Sequence, residues 1–226
     1  MRPVSGLTLL AAGAAILAGT GLVFGLILSP PDAFQGEYVR IMYAHVPSAA
    51  TAYLAVGTVA VASLLYLWKR RPAYDRVAHS AAEIGVLFTG LALASGMIWG
   101  KPVWGTWWTW DARLVTTAML FLIYIGYLLV RELAEDSERG ARMAAVIGIV
   151  GALDIPVIHY SVSWFRTLHQ PASIVRGDIQ IAPPMLMALM INLSAFFILY
   201  AFLLVLRVRL ARLEDARAAA ALGETG

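Results

Sequence analysis

The chain has 226 residues, of which 60% are hydrophobic and only 14% are charged, and its formal net charge is +3. Too few polar residues are present to cover a water-soluble core, so the composition indicates an integral membrane protein. The basic residues cluster beside apolar runs, as membrane topology signals do, which removes the reason to infer nucleic-acid binding from the charge. The absence of cysteine excludes disulfides, thiolate metal sites and thiol chemistry.

Six apolar runs have about the ~20 residues that a helix needs to cross a bilayer. The first run is longer than a signal-peptide core and has no cleavage site after it, so we interpret it as a span. Within it, Gly21 and Gly25 indicate close helix packing. The sequence therefore predicts an all-α six-helix membrane bundle, a single polytopic domain over residues 1–226 with a charged, solvated, helical tail over 207–226. The predicted spans cover about 7–28, 49–68, 81–99, 114–130, 144–165 and 185–206.

The distribution of basic residues predicts the orientation of these spans. With the N-terminus inside, twelve Lys and Arg residues fall in the inner segments and five in the outer ones, which favours cytoplasmic N- and C-termini. The inner set is Arg2, Lys69, Arg70, Arg71, Arg76, Arg131, Arg139, Arg142, Arg207, Arg209, Arg212 and Arg217; the outer set is Arg40, Lys101, Arg113, Arg166 and Arg176. The first, third and fifth loops then share the outer face.

A tryptophan-rich segment, residues 101–113, forms the third loop. It contains Trp104, Trp107, Trp108 and Trp110, four of the seven tryptophans of the chain. If the segment were helical, three of these and Asp111 would fall on one face, at i, i+3, i+4 and i+7. Such a stripe would form a platform for a flat apolar ligand. The alternative is an aromatic belt at the membrane interface, which is the usual role of a single interfacial tryptophan.

Two histidines, His45 before the second predicted span and His169 after the fifth, are predicted to lie on the same face as the tryptophans. Two neutral imidazoles are suitable axial ligands for a heme iron. Arg40 and Arg113 are available to pair with the carboxylates of such a ligand, and the alternative for both is a lipid phosphate.

Two further polar residues, Asp154 and His159, fall inside the fifth predicted span. Ionisable groups within a membrane are functional candidates by default. A hydrogen-bonded structural histidine is an equal alternative for His159. For Asp154 we favour a satisfied polar contact beside Pro156 over a proton path.

The segment from Trp104 to Arg113 resembles the tryptophan-rich WWD signature of heme-handling membrane proteins in cytochrome c biogenesis. The segments Tyr38–Pro47, Ile155–Val162 and Thr167–Gln170 resemble the CcmC family in particular, and the likeness extends over nearly the whole chain. Six spans also suit this family better than the larger relatives that share the signature.

The resemblance implies a multi-pass protein of the bacterial inner membrane that holds non-covalent heme b at the periplasmic face. It implies His45 and His169 as axial ligands of the iron. The other implied heme-site residues are Trp104, Trp107, Trp108, Trp110 and Asp111, with Arg40 and Arg113 as propionate or partner contacts.

The resemblance also implies delivery of the heme to the chaperone CcmE, where it becomes covalently attached, and assembly with CcmD and with CcmA and CcmB of an ABC complex. We expect a transfer protein rather than an enzyme, with no catalytic residue assigned, and the question of active attachment stays open. One alternative is a heme-translocating permease subunit. Another is a b-type membrane cytochrome, which normally buries its ligand histidines within spans; only His159 is predicted there.

Overall fold

The computed structural model describes residues 6–134, 137–169, 174–175 and 178–223. Arg2, Gln170, Arg176 and the last three residues of the predicted tail lie outside these ranges. The helices are α1 (Gly6–Val23, continued by a π-helix over Phe24–Leu28), α2 (Met42–Lys69), α3 (Pro72–Trp104), α4 (Ala112–Leu133), α5 (Ser137–Ala152), α6 (Asp154–Trp164) and α7 (Pro183–Gly223). A 3-10 helix (Glu37–Ile41) precedes α2, and two short antiparallel strands, β1 (Ile174–Val175) and β2 (Asp178–Ile179), precede α7.

The prediction of an all-α membrane bundle is confirmed. Six segments of the described chain are long and apolar enough to cross a membrane, with α5 and α6 forming one of them and the 3-10 helix joining α2 in another. We call the end of the bundle that carries the loops before α2, after α3 and after α6 the site end. The other end carries the α2–α3 turn, where Arg70 adopts a left-handed conformation and Pro72 begins α3.

Helix α2 begins earlier than predicted. We expected the second span to begin at about residue 49, but α2 begins at Met42 and includes both His45 and Pro47. The reason is tertiary packing: Met42 and Tyr43 are buried against residues of α7, which holds the helix together on the N-terminal side of the proline. His45 therefore lies in the first turn of a spanning helix and not in a loop.

The tryptophan-rich segment is not a helix along its length, so the predicted single-face stripe is wrong. Helix α3 ends at Trp104 because Gly105 adopts a positive φ of 79°, which a glycine accepts readily. Residues 105–111 are irregular. Helix α4 then begins after Asp111, whose Oδ1 accepts a hydrogen bond 3.0 Å long from the Leu114 N–H.

Small residues bring the helices of the core close together. Gly148 on α5 lies so near α2 and α4 that a Cβ added there would be 2.8 Å from a methyl group of Val59. The backbone carbonyl of Gly148 accepts a hydrogen bond from the buried Tyr124 hydroxyl. As expected for close packing, Gly21 and Gly25 are buried; the carbonyl oxygen of Gly21 accepts a hydrogen bond from Asn192 Nδ2 of α7, and Gly25 lies against Tyr43.

Helix α7 is the longest element. Its 41 residues span about 60 Å at ~1.5 Å per residue, twice the ~30 Å hydrocarbon thickness, and residues 212–221 are exposed. The extension is tied to α3 by Arg207, which donates to Glu83 over 2.7 Å, and by Arg76, which donates to Asp215 over 2.8 Å. The tail is thus helical to Gly223.

We expect Gly148→Ala to destabilise the bundle by about 1–3 kcal/mol, the usual cost of overpacking a core, because Val59 and Tyr127 would have to move. Gly57→Ala is the control: it also replaces a helical glycine, but no atom lies within 4 Å of the added Cβ, so its higher helix propensity should stabilise α2 by up to ~1 kcal/mol. Thermal unfolding in detergent measures both. Equal melting temperatures for the two variants would contradict this packing.

Candidate functional site: a histidine-lined cavity

A cavity of about 970 Å³ lies at the site end, between α2, α3, α4 and α6. Its size is at the upper end of the ~300–1,000 Å³ typical of small-molecule sites. The polar groups of its wall come from His45, Arg113, His159 and His169, among others. Leu120 and Ile158, each only 1% exposed, line it on the side of the bundle core. The helix is interrupted at Leu153, between α5 and α6. Pro156 lies in the first turn of α6, where a backbone N–H has no partner within the helix, so its missing N–H costs nothing there.

The structure brings His45 and His169 to this one cavity. His45 is held through Nδ1, which lies 3.1 Å from Ser95 Oγ on α3, and its ring meets Trp99 edge-on with 5.7 Å between centroids. Gly96 leaves room for the ring, since a Cβ added at Gly96 would be 3.0 Å from His45 Cε1.

His169 is held by residues from two loops. Its Nδ1 lies 3.1 Å from Thr167 Oγ1 and 3.3 Å from Asp111 Oδ2, and its ring meets Trp104 edge-on with centroids 4.7 Å apart. Burial lowers the pKa of His169 below its usual value, Arg113 adds to this effect, and the ionised Asp111 offsets only part of it. The imidazole is therefore neutral at neutral pH, the form that binds metals.

Asp111 supports the site without lining the cavity. Its side chain is only 7% exposed, and this burial acts to raise its pKa. The hydrogen bonds from Leu114 N–H and the Thr109 hydroxyl, together with His169, outweigh burial and hold the pKa below its usual value. Asp111 is thus an ionised helix cap that also contacts a histidine.

Two of the four tryptophans of the segment line the cavity, namely Trp104 and Trp108. Trp107 and Trp110 point elsewhere, with 56% and 86% of their surface exposed. Because the segment turns at Gly105 and is then irregular, the four rings cannot share one face.

Arg113 and Arg40, the two cations predicted for the site, also differ in whether they line the cavity. Arg113 lines the cavity and donates from Nη2 to the backbone carbonyl of His159 over 3.1 Å. Arg40 is not among the residues that line the cavity: it pairs with Glu37 and donates to the carbonyl of Gly25 over 3.1 Å. Of the two, only Arg113 is placed to touch a molecule inside the cavity.

Two buried donors at the cavity wall have no hydrogen-bond acceptor within the described part of the chain, Trp108 Nε1 and Arg113 Nε. A buried donor without an acceptor costs about 1–3 kcal/mol, or more when it is charged. Their presence in the wall of one mostly apolar cavity indicates a ligand that carries an acceptor, such as a carboxylate.

Sequence reasoning missed Ser95 and Thr167, which hold the two histidines, and Tyr53, which lines the cavity. Tyr53 could have been found, since it is eight residues after His45 and therefore on the same face of α2. Ser95 is 50 residues from its partner His45 and carries no local signal. Asp154 was expected to be satisfied, but its Oδ2 is buried and has no hydrogen-bond partner among the described residues.

Fold and site together define a polytopic membrane protein with a histidine-lined cavity at one end of the bundle. The family model described as "CcmC: Heme exporter protein C" matches residues 4–222. The chain belongs to this family, and it is therefore one of the heme-handling membrane proteins.

Individual relatives agree. The chain is 44% identical over 192 residues to a heme exporter protein C of Bradyrhizobium diazoefficiens, covering 84% of this chain and 73% of the relative. It is 42% identical over 205 residues to that of Haemophilus influenzae, covering 89% and 83%. A ccmC-like mitochondrial protein of cytochrome c biosynthesis from Marchantia polymorpha is 37% identical over 193 residues, covering 85% and 82%.

We expect Asp111→Ala to destabilise the protein by about 0.5–2 kcal/mol because α4 loses its N-cap. Asp111→Asn should fold nearly as well as the wild type, since an asparagine oxygen can accept the same Leu114 N–H. Thermal unfolding of both variants measures the difference. If Asp111→Asn were as unstable as Asp111→Ala, the negative charge rather than the cap would be what stabilises this end of α4.

Proposed function

We propose that the chain acts in cytochrome c maturation by holding non-covalent heme b in this cavity and delivering it to the heme chaperone CcmE for covalent attachment. The observation that carries the proposal is the convergence of His45 and His169 on one cavity that also contains Trp104, Trp108 and Arg113. Family membership and the cytochrome c biosynthesis name of the Marchantia relative support it.

The residues of the cavity suit a heme. His45 and His169 each keep Nε2 for the iron, because Nδ1 is engaged with the protein. The rings of Trp104 and Trp108 offer apolar contact to the porphyrin. Arg113 Nε and Trp108 Nε1 are buried donors that a propionate would satisfy. When bound, heme supplies the iron that takes the axial ligands and the vinyl group through which it is linked to CcmE.

In this proposal the chain works by positioning rather than by a catalytic residue of its own. We place the site end at the periplasmic face of the bacterial inner membrane, in agreement with the basic residues at the other end. Trp107 and Trp110 are exposed beside the cavity and offer an aromatic surface to CcmE. Arg40, which lies outside the cavity wall, is a candidate contact to a partner. CcmD, CcmA and CcmB complete the proposed complex.

A permease function fits this conformation less well. Charged residues toward the other end of the bundle form ion pairs, among them Arg207 with Glu83 and Arg131 with Asp75. Tyr124, Tyr127 and Leu120, each about 1% exposed, fill the core beside the cavity. The described helices thus form a packed core between the cavity and the opposite end.

The structure changes the argument against the alternative that the chain is a b-type cytochrome. The positional argument against it was wrong, because His45 lies in the first turn of a spanning helix. What distinguishes a delivery protein is the site's location at the end of the bundle beside exposed aromatic residues, where a partner can reach the ligand.

We expect purified wild-type protein loaded with heme to show a two-histidine absorption spectrum. His45→Ala and His169→Ala should each lose that spectrum and reduce covalent heme on co-expressed CcmE. His79→Ala is the matched control, because His79 lies on α3 beside Glu83 and does not line the cavity. Unchanged spectra and unchanged CcmE loading in both site variants would sink the proposal. Loss of the spectrum in His159→Ala instead would transfer one ligand position to His159.

Trp108→Phe keeps an aromatic ring but removes the buried N–H donor. We expect heme affinity to fall by about tenfold or more, since hydrogen bonds to charged groups are worth ~1.5–3 kcal/mol. Trp68→Phe is the control, because Trp68 is 78% exposed near the opposite end of α2. Spectroscopic titration with heme and with its dimethyl ester, whose propionates cannot ionise, separates the causes. A loss of equal size for the ester would mean that Trp108 contributes packing and not a propionate contact.

A further inference from the structure

The hydroxyl of Ser95 fixes which nitrogen of His45 is free. A serine hydroxyl has a single proton, and Ser95 Oγ lies 2.6 Å from the carbonyl oxygen of Leu91, so the proton is donated there. Toward His45 Nδ1, 3.1 Å away, the same oxygen can then only accept. Nδ1 therefore carries the ring proton of His45, and Nε2 carries the lone pair.

His169 reaches the same tautomer through a different partner. Its Nδ1 lies 3.3 Å from Asp111 Oδ2. That carboxylate already accepts hydrogen bonds from the Thr109 hydroxyl over 2.8 Å and from the Leu114 N–H over 3.0 Å. Thr167 Oγ1 lies 3.1 Å from the same nitrogen, but its hydroxyl donates its single proton to Asp111 and can only accept from Nδ1. An ionised carboxylate has no proton to donate, so His169 Nδ1 carries the proton here as well. Both histidines thus keep Nε2 for a ligand.

The two partners differ in charge, and this difference makes the two imidazoles unequal. A carboxylate that accepts the outer N–H of a histidine raises the basicity of the metal-binding nitrogen more than a neutral hydroxyl does. Resting on the function proposed above, we propose that Asp111 and Ser95 are positioning residues that make His169 the firmly held axial ligand and His45 the exchangeable one.

The exchange needs no redox partner. The bond from His45 Nε2 to iron breaks and its electron pair returns to the neutral imidazole, while an incoming ligand supplies the lone pair for the new bond. No proton moves at His45, because Nδ1 keeps its proton and continues to donate it to Ser95 Oγ. His45 then lies beside Gly96 and Trp99, and the heme remains attached to this chain through His169 while a partner approaches.

Carbon monoxide tests which histidine leaves. It binds ferrous heme by replacing one axial ligand, and the Fe–CO stretching frequency reports the ligand that stays opposite. We expect the reduced CO adduct of the full wild-type chain in nanodiscs to match that of His45→Ala, since His169 would be retained in both. The adduct of His169→Ala should differ. A wild-type adduct that matches His169→Ala, or three identical adducts, would overturn the inference.

Variants of the two positioning residues extend the test. Asp111→Asn, which keeps the α4 cap, should shift the wild-type Fe–CO frequency toward that of His169→Ala and lower heme affinity by roughly 10–100-fold. Ser95→Ala should leave the Fe–CO frequency unchanged and lower heme affinity by less than Asp111→Asn does. Ser95→Thr, which keeps a hydroxyl, should restore the affinity.

Two matched controls remove the same groups elsewhere. Asp32→Asn replaces a carboxylate at the site end that accepts hydrogen bonds only from Phe34 and Gln35 N–H groups among the described contacts. Ser194→Ala removes a helical serine that donates to Met190. Both should behave as wild type. A wild type without a two-histidine spectrum would defeat the proposed function itself. A normal wild-type spectrum, with the Fe–CO frequency and heme affinity both unchanged in Asp111→Asn, would defeat only the present inference.

Discussion

The two oxygens of Asp111 join parts of the chain that are distant in sequence. Oδ1 accepts from Leu114 N–H and fixes the start of α4, which sets the position of Arg113; Oδ2 faces His169 and the Thr109 hydroxyl. One buried carboxylate therefore couples the end of the tryptophan-rich segment, the first turn of a spanning helix and the loop after α6. Because each contact satisfies part of the same charge, the loop with His169 and the helix with Arg113 are held in one arrangement.

The two ends of the bundle are built with different interactions. Away from the site, ion pairs such as Arg207 with Glu83 and Arg131 with Asp75 connect neighbouring helices, and small residues such as Gly148 permit close packing. Toward the site end the chain departs from regular helix at Gly105, after α3, and at Leu153, between α5 and α6, and the helices leave a cavity between them. The tightly packed half of the bundle thus holds the helices in place, so that the other half can contain a cavity without loss of the fold.

Local patterns in the sequence were sufficient for the six spans, since apolar length is a strong signal, and for the glycine contacts of α1. They were not sufficient for the tryptophan-rich segment, where the conformation of Gly105 decides against a helical stripe. Nor could they place the start of α2, which depends on packing against α7. Histidine and tryptophan types indicated the chemistry of the site. Ser95 and Thr167, however, acquire their roles only through contacts that no periodicity encodes.

The state of Trp108 separates a ligand site from a membrane belt. In a belt, the indole N–H reaches water or lipid headgroups while the ring stays apolar, and the exposed Trp107 and Trp110 satisfy that description. Trp108 does not, because its Nε1 is buried at the wall of the cavity and finds no acceptor among the described residues, as is also true of Arg113 Nε. Leaving both donors unpaired would be costly in a low-dielectric wall. An acidic ligand would remove that cost by accepting from both donors, so these two groups favour a ligand that carries a carboxylate.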